Sequence, residues 1–426
     1  MVKMQLNLSN EPINNINESS WDYKGVDTKY NNHGIHEYPA RMIPQITHRL
    51  IENYGNNKKT ILDPFSGSGT TLLEAKLYAN FDIAYGIDIN PLARLIAKVK
   101  TTPINPKLID NQYNNIINKF NKYKENDVEV PHFFNIGFWF KDYVIYDLAK
   151  IKKAISEIDD KDIEDFFKVI FSSIIRKVSN TRNSEFKLYK MSEKKLKDFF
   201  PNVLNEFISA YKTNYSKMIE FYQNHNDCIV NILDEDSRKK TSIDKESVDL
   251  IVTSPPYGDS ITTVAYGQFS RLSLQWLDFD KKITSSIDKM SLGGKPKGQV
   301  FDTILNSPTL KEISDKIKSQ DEKRANDVLA FFNDFYLCIN EFDRVVKNNG
   351  LMCFVVGNRT VKKIPILTDK IIVELFKLKN KNYKHLETII RNIPSKRMPK
   401  ANSPTNKKGK KINTMNHEYI VIIQKY

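Results

Sequence analysis

Within the first hundred residues, a short apolar run, a glycine-bearing turn and a helical pattern follow one another twice, in KKTILDPFSGSGTTLLEAKLYA and then in FDIAYGIDINPLARLIAKVK. Two strand–turn–helix units in succession indicate an α/β domain built on a parallel sheet. The rhythm stops for more than a hundred residues, and 105–223 reads as helical throughout, as in FKDYVIYDLAKIKKAISEI and KDIEDFFKVIFSSIIRKVS. It resumes with DCIVNIL, VDLIVTSPPY, GLMCFVVGN, HLETIIRNI and HEYIVIIQ, interleaved with helical patterns in 323–347 and 366–378. The core domain is therefore discontinuous, made of 35–104, 224–279 and 323–426, with a helical insertion at 105–223. Residues 280–322, carrying charges, Gly293, Gly294, Pro296 and Pro308, read as a loop insertion. Residues 1–34 read as a polar, Asn-rich leader, followed by an amphipathic helix in YPARMIPQITHRLIENY.

Composition narrows the partner. Lys and Arg number 65 against 51 Asp and Glu, a formal charge of +14, which favours an anionic partner such as a nucleic acid. High Asn, Lys and Ile usage points to an AT-rich genome and tempers that inference. Three scattered cysteines, Cys228, Cys338 and Cys353, supply neither a disulfide framework nor metal-ligand spacing, so no metal is expected and a reducing cytoplasm fits. No apolar run reaches the roughly 18–20 residues that span a bilayer, and the N-terminus lacks a secretory apolar stretch.

The chemistry concentrates at two turns. Asp63-Pro64-Phe65-Ser66-Gly67-Ser68-Gly69-Thr70-Thr71 joins a strand to a helix, where open α/β sheets place ligands, and it lacks the Lys of a P-loop. Alone it could be a plain structural turn. Asp88, 21 residues after Gly67 at the end of the next strand, can accept hydrogen bonds from both hydroxyls of a ribose, so the pair implies an adenosine-containing cofactor. Thr253-Ser254-Pro255-Pro256-Tyr257 closes an apolar strand, and two prolines cannot continue a central strand. The turn projects a hydroxyl, a carbonyl and an aromatic face, a set suited to a planar base with an exocyclic amine.

DPFSGSGTT, GIDINPLA and TSPPYGDS together resemble the S-adenosylmethionine-dependent DNA amino-methyltransferases, which methylate cytosine N4 or adenine N6. HEYPARMIP resembles the family's extra cofactor-binding segment, and TTVAYGQFSRLSLQWL the subset found in restriction-modification systems. The resemblance implies a Rossmann-like methyltransferase fold with a mainly parallel seven-stranded sheet. It implies S-adenosylmethionine as cofactor, held by Tyr38, Pro39, Asp63, Phe65, Gly67, Gly69, Asp88, Ile89 and Asp236, with Asp236 contacting the adenine amine and Asp234 the alternative. It implies that Ser254, Pro255, Pro256 and Tyr257 form the catalytic turn, Tyr257 stacking on a base flipped out of duplex DNA while Ser254 and the Pro255 carbonyl receive its amine. Ser at the head of the turn favours cytosine N4; adenine N6 and an RNA amine are the alternatives, and an inactive nucleic-acid-binding scaffold is a fourth reading.

The DNA contacts are read from composition. Arg176 and Arg182 lie among Phe186 and Tyr189 in RKVSNTRNSEFKLYK, within the insertion that is the candidate target-recognition region; a solvated helix end is the competing reading. From Arg391 to Lys411 there are eight basic residues and no acid, among them Lys396, Arg397, Lys407 and Lys408. That run suits a phosphate clamp beside the site, or a solvated loop. The expected partners are double-stranded DNA and, functionally, a cognate restriction endonuclease.

Overall fold

A computed structural model describes residues 20–182, 186–259, 262–295, 298–393 and 415–426, together with the backbone of 401–402 and 412–413. Seven strands form one sheet: β1 (Thr60–Asp63), β2 (Ile83–Ile87), β3 (Ile229–Leu233), β4 (Val248–Thr253), β5 (Val346–Gly357), β6 (Tyr383–Asn392) and β7 (His417–Lys425). Their spatial order is β3-β2-β1-β4-β5-β7-β6. Neighbours from β3 to β5 are parallel, and β7 runs antiparallel to both β5 and β6. This is the mainly parallel, Rossmann-like sheet expected from the sequence. Strand order reverses between β1 and β4, and it is outside the carboxyl ends at such a reversal that an open sheet opens a crevice. Asp63 and Thr253 end those two strands, so the topology brings both sequence motifs to one place.

Side chains alternate across the sheet, because successive residues of a strand point to opposite faces. Ile61, Leu250, Cys353 and Ile420 enter one core, shared with α1 (Pro44–Tyr54) and α2 (Thr70–Tyr78); Leu62, Ile251, Phe354 and Val421 enter the other. After α2 comes α3 (Pro91–Thr101), capped by Asn90, whose side chain accepts from the Leu92 amide. The insertion is helical as expected, with α4 (Pro106–Lys122), α5 (Asp142–Ser156), α6 (Lys161–Val178) and α7 (Val203–Asn224). It shares a single apolar core with Leu92, Ile96 and Val99 of α3 and with Leu272, Leu274 and Trp276 of α8 (Tyr266–Trp276). Trp276 is fully buried, met edge-on by Phe140 at 5.6 Å and by Phe133 and Phe171 at 6.1 Å. The insertion therefore packs into one core with α3 and α8 instead of standing apart.

Residues 280–322 correct the sequence reading. They hold two helices, α9 (Lys281–Met290) and α10 (Pro308–Lys318), where a loop was expected. Asp280 caps α9 by accepting from the Lys282 and Ile283 amides, while Ser307 caps α10 ahead of Pro308 in its first turn. Leu310, Ile313 and Ile317 are spaced for one buried helical face, a pattern masked by the charges around them. Two long helices complete the second face, α11 (Glu322–Val345) and α12 (Thr368–Lys379). Part of the expected leader is also structural: Trp21 is buried under Arg49, whose guanidinium lies 4.2 Å from the ring centre, and Asn31, Asn32 and His33 are buried. Among the described residues, no helix is long and apolar enough to cross a membrane.

Candidate active site

At the crevice, Asp63 is almost wholly buried and accepts from the Thr253 hydroxyl at 2.6 Å and from the Phe65 amide at 3.2 Å. It ties the end of β1 to the end of β4. Asp88, just past β2, accepts from the Gly67 amide at 2.9 Å through one oxygen and from the Asn90 amide at 2.7 Å through the other. A carboxylate offers about four lone-pair sites, so one remains on each oxygen. Burial pushes both carboxyls up to about 6, against the pull of the hydrogen bonds each receives. Gly69 departs from expectation. It caps α2 with a φ of +78°, and an added Cβ would meet the Ala97 Cβ at 2.8 Å, so it is glycine to let α2 and α3 touch. The cavity is lined by Phe65, Ser66, Gly67 and Ser68 of this turn, without Gly69.

That cavity leaves about 930 Å³ of space, counting the part open to solvent. Tyr38, Pro39, Asp63, Asp88 and Ile89 all border it. Tyr38 is held by the Asn90 side chain, whose Nδ2 donates to its hydroxyl at 3.0 Å, and its ring stacks on Tyr266 at 5.9 Å. Asn90 also donates to the Ser270 hydroxyl at 2.8 Å, linking α3 to α8. Ile287, Met290 and Leu292, from the segment misread as loop, supply an apolar wall. A carboxylate with two open lone pairs, backbone amides from a tight turn and apolar walls fit the sugar and adenine of S-adenosylmethionine.

Asp236 borders the cavity, but Arg238 engages both of its oxygens through the side chain, and the Arg238 amide adds a fourth hydrogen bond. The same guanidinium reaches Asp334 at 2.9 Å and the Met290 carbonyl at 2.6 Å. Asp236 thus has no open lone pair for an adenine amine unless Arg238 loosens; its present role is to orient Arg238, which fastens the end of α9 to α11. The alternative, Asp234, pairs with Arg94 at 2.7 Å and lies outside the cavity lining.

Ser254 and Pro256 line the cavity, and Pro255 is buried behind them. The Ser254 hydroxyl donates to the Val355 carbonyl at 3.0 Å. Tyr257 is held from a distance: its hydroxyl donates to Glu418 at 2.9 Å, and Glu418 also receives Arg391. Sheet register explains the assembly. Glu418 of β7 is paired with Gly357 of β5 on one side and with Arg391 of β6 on the other. At Gly357 an added Cβ would run into the Met415 side chain and lie 2.9 Å from the Tyr257 ring, so glycine there makes room for both. Arg391 is buried and donates further to the Trp21 and Asp22 carbonyls. It was counted with the basic run of the last loop; the structure removes it from any phosphate clamp. Burial, and then the neighbouring Glu418, raise the Tyr257 phenol well above its usual range, so it remains a donor.

Of the residues expected to touch DNA, Arg176 lies over the Phe269 ring at 5.1 Å and donates to the Phe186 carbonyl at 3.0 Å, while Arg182 is exposed, 5.9 Å from the centre of Tyr189. Lys396, Arg397, Lys407 and Lys408 lie outside the described residues. Asn90, Tyr266, Arg238, Arg391 and Glu418 were not singled out from the sequence. Only Asn90 carried a local signal, an N-cap residue directly before a proline.

The comparisons with known proteins agree with this geometry. The N6/N4 family model described as DNA methylase matches residues 3–99 and 248–426, leaving out the whole of the helical insertion. A type II methyltransferase of Kocuria varians, M.MvaI, is 42% identical over 97% of this chain and 95% of its own length. M.BsoBI of Geobacillus stearothermophilus, also a type II methyltransferase, is 24% identical over 67% of this chain and 59% of its own. With the cofactor crevice and the Ser-Pro-Pro-Tyr turn side by side, the chain belongs to the N6/N4 DNA methylase family and is a DNA methyltransferase that uses S-adenosylmethionine.

Proposed function

We propose that the protein methylates cytosine N4 at a specific site in duplex DNA, on a base flipped into the crevice, and that it acts as the protective type II enzyme of a restriction-modification pair in the cytoplasm. What carries this reading is the state of Ser254. Its hydroxyl hydrogen is engaged by the Val355 carbonyl, so the lone pairs of Oγ remain as acceptors at the cavity wall. An amine donating to Ser254 Oγ and the Pro255 carbonyl has its own lone pair turned away from them, toward the methionine side of the cavity. S-adenosylmethionine, when bound, supplies an activated methyl group. That methyl group would replace one proton of the amine, lost to solvent, while Ser254 Oγ and the Pro255 carbonyl keep the nitrogen oriented. Positioning of this kind accounts for much of an enzyme's rate advantage. Extruding the base costs a few kcal/mol, offset by contacts in the pocket, with Tyr257 as the stacking face.

Tyr38, Pro39, Phe65 and Gly67 are assigned to the methionine and sugar side, Asp88 to the ribose hydroxyls and Ile89 to the adenine face. The serine at the head of the turn supports cytosine over adenine. The insertion, with Arg176 and Arg182, is assigned to DNA contact, supported by its absence from the family match. Expression in a methylation-free host, followed by nucleoside mass spectrometry and modification-sensitive sequencing, tests the base: N4-methylcytosine at one motif is expected, and N6-methyladenine alone would overturn the assignment. Tyr257→Ala is expected to lose methyl transfer while keeping cofactor affinity; joint loss would move Tyr257 off the base side.

A further inference from the structure

Past Tyr257 the chain meets the hairpin that follows β5. Its short strands, Thr360–Val361 and Ile364–Pro365, pair Thr360 with Pro365 and Val361 with Ile364, and the Ile366 amide donates to the Arg359 carbonyl at 2.8 Å. Val361 and Ile366 are buried in the core of Leu62, Ile251 and Phe354, so the hairpin is anchored. Arg359 stands at its base, two residues after the Gly357 that abuts the Tyr257 ring. The guanidinium lies against the main chain of Gly258, the residue after Tyr257: a Cβ added there would run into Cζ, Nη1 and Nε. Nη1 donates to Asp259 and to the Thr262 hydroxyl, both at 3.3 Å, and Asp259, 2% exposed, also accepts from the Thr262 amide at 2.9 Å and hydroxyl at 2.5 Å. These bonds fix one corner of the fork. A guanidinium has five N–H donors, and among the described residues Nε and Nη2 have no acceptor; with the side chain 13% exposed, neither is sealed from solvent. Burial lowers the pKa of this group against the pull of Asp259, so its own carboxylate does not fully compensate the cation. At the tip, Lys362 and Lys363 have φ of +49° and +65°. A two-residue hairpin turn with both φ positive favours Asn-Gly or Asp-Gly, so two lysines there go against the local backbone preference. Lys362 pairs with Asp321 at 2.8 Å; Lys363 is exposed and, among the described residues, has no carboxylate partner.

A planar fork with two nitrogens open suits the paired oxygens of a phosphate, and a lysine at an unfavourable turn position supplies charge where it does not supply turn geometry. We propose that this hairpin is a strap on the DNA backbone: Arg359 takes a phosphate beside the nucleotide that faces Tyr257, and Lys363 takes a phosphate further along. The proposal rests on Tyr257 marking the base side of the crevice in a DNA methyltransferase, and deepens that reading by naming the residues that hold the sugar–phosphate chain there. Phosphate contacts set register and orientation without reading sequence. Asp259 is then a positioning residue, which aims the fork through Nη1 and leaves its other nitrogens to the DNA.

The test uses the full chain and a duplex containing its methylation site, in which single phosphates near the target are replaced by neutral methylphosphonates. Methylation of the unmodified duplex by the unaltered protein checks the underlying activity, and Tyr257→Ala checks the placement of the base, so failure of either reading is seen apart from failure of the strap. At one phosphate adjoining the target, neutralisation is expected to weaken binding to the unaltered protein about tenfold or more but to add little to the loss in Arg359→Met. Arg359→Lys keeps a cation for Asp259, so the loop should fold; the penalty at that phosphate should shrink here too, because an ammonium lacks the fork. Lys363→Asn suits a left-handed backbone and should keep the fold while lowering the slope of log affinity against log salt by about 1, the loss of one phosphate contact. Cofactor affinity should be unchanged in all three variants. Equal penalties at every phosphate in the unaltered protein and both Arg359 variants, a salt slope that Lys363→Asn leaves unchanged, or a cofactor affinity that falls with DNA affinity would overturn the proposal.

Discussion

The two sides of the catalytic crevice are held in opposite ways. On the cofactor side, Asp88, Gly67 and Asn90 fasten one another within a stretch of 24 residues, through backbone amides that the turn itself presents. On the side proposed for the base, Tyr257 is fixed by Glu418, Glu418 by Arg391, and Arg391 by the carbonyls of Trp21 and Asp22, so three remote segments are chained to one phenol. The cofactor side can form wherever two adjacent strands form. The base side exists only when β5, β6 and β7 are in register and residues 20–22 have docked on them.

The largest consequence of that difference concerns stability. Glu418→Ala leaves the Arg391 guanidinium buried without its carboxylate, at an expected cost of about 3–5 kcal/mol in urea unfolding. Glu418→Gln, which keeps an acceptor for Tyr257, should cost less and retain more activity. If Glu418→Ala proved as stable as the unaltered protein, the base side would not depend on the remote assembly. Next in size is Asp88→Ala, expected to weaken cofactor binding by about 100-fold in calorimetric titration, because two hydrogen bonds to a charged acceptor are lost at about 1.5 kcal/mol each. Glu418→Ala should leave that affinity within about threefold, and equal effects from both variants would erase the distinction between the sides.

Gly69→Ala sharpens the cofactor side from behind. Its left-handed backbone and the 2.8 Å approach to Ala97 predict a loss of about 1–3 kcal/mol, and Ala97→Gly in the same chain should restore part of it by relieving the contact. The smallest effect is one of pH. The Asp88 carboxyl is raised to about 6 by burial, and a ribose donates only to its ionised form through both oxygens, so cofactor affinity should be complete above pH 6 and fall by at most about tenfold per unit below it. Over the same interval, from about 4 to 6, Asp63 and Asp88 bind more protons folded than unfolded, so their contribution to apoprotein stability falls as pH rises. Cofactor affinity that did not change between pH 5 and 7 would mean that Asp88 does not bear on the ribose.

These differences follow what was readable beforehand. The strands, the turn at Phe65–Gly69, the carboxylate at Asp88 and the Ser-Pro-Pro-Tyr turn each announce themselves within a few residues, because glycine, proline and an apolar run act on the local backbone. The helices α9 and α10 were missed because charge and glycine obscured a regular apolar spacing. Gly69 reads as part of the ligand turn, but its positive φ and its contact with Ala97 give it a structural reason to be glycine, and it is Gly67 that borders the cavity. Asp236, expected to contact the adenine amine, borders the cavity, but Arg238, held in turn by Asp334 and Met290 far along the chain, occupies both of its oxygens.

By itself, then, the sequence determined the α/β architecture, the cofactor class and the two turns that carry the chemistry, since those rest on local backbone preferences and on short spacings. Tertiary structure alone decided how Tyr257 is held, why Gly357 is a glycine and where Arg391 belongs. Each of these comes from strand register or helix packing between segments tens to hundreds of residues apart, and pairings of that range leave no periodicity for a linear reading to detect.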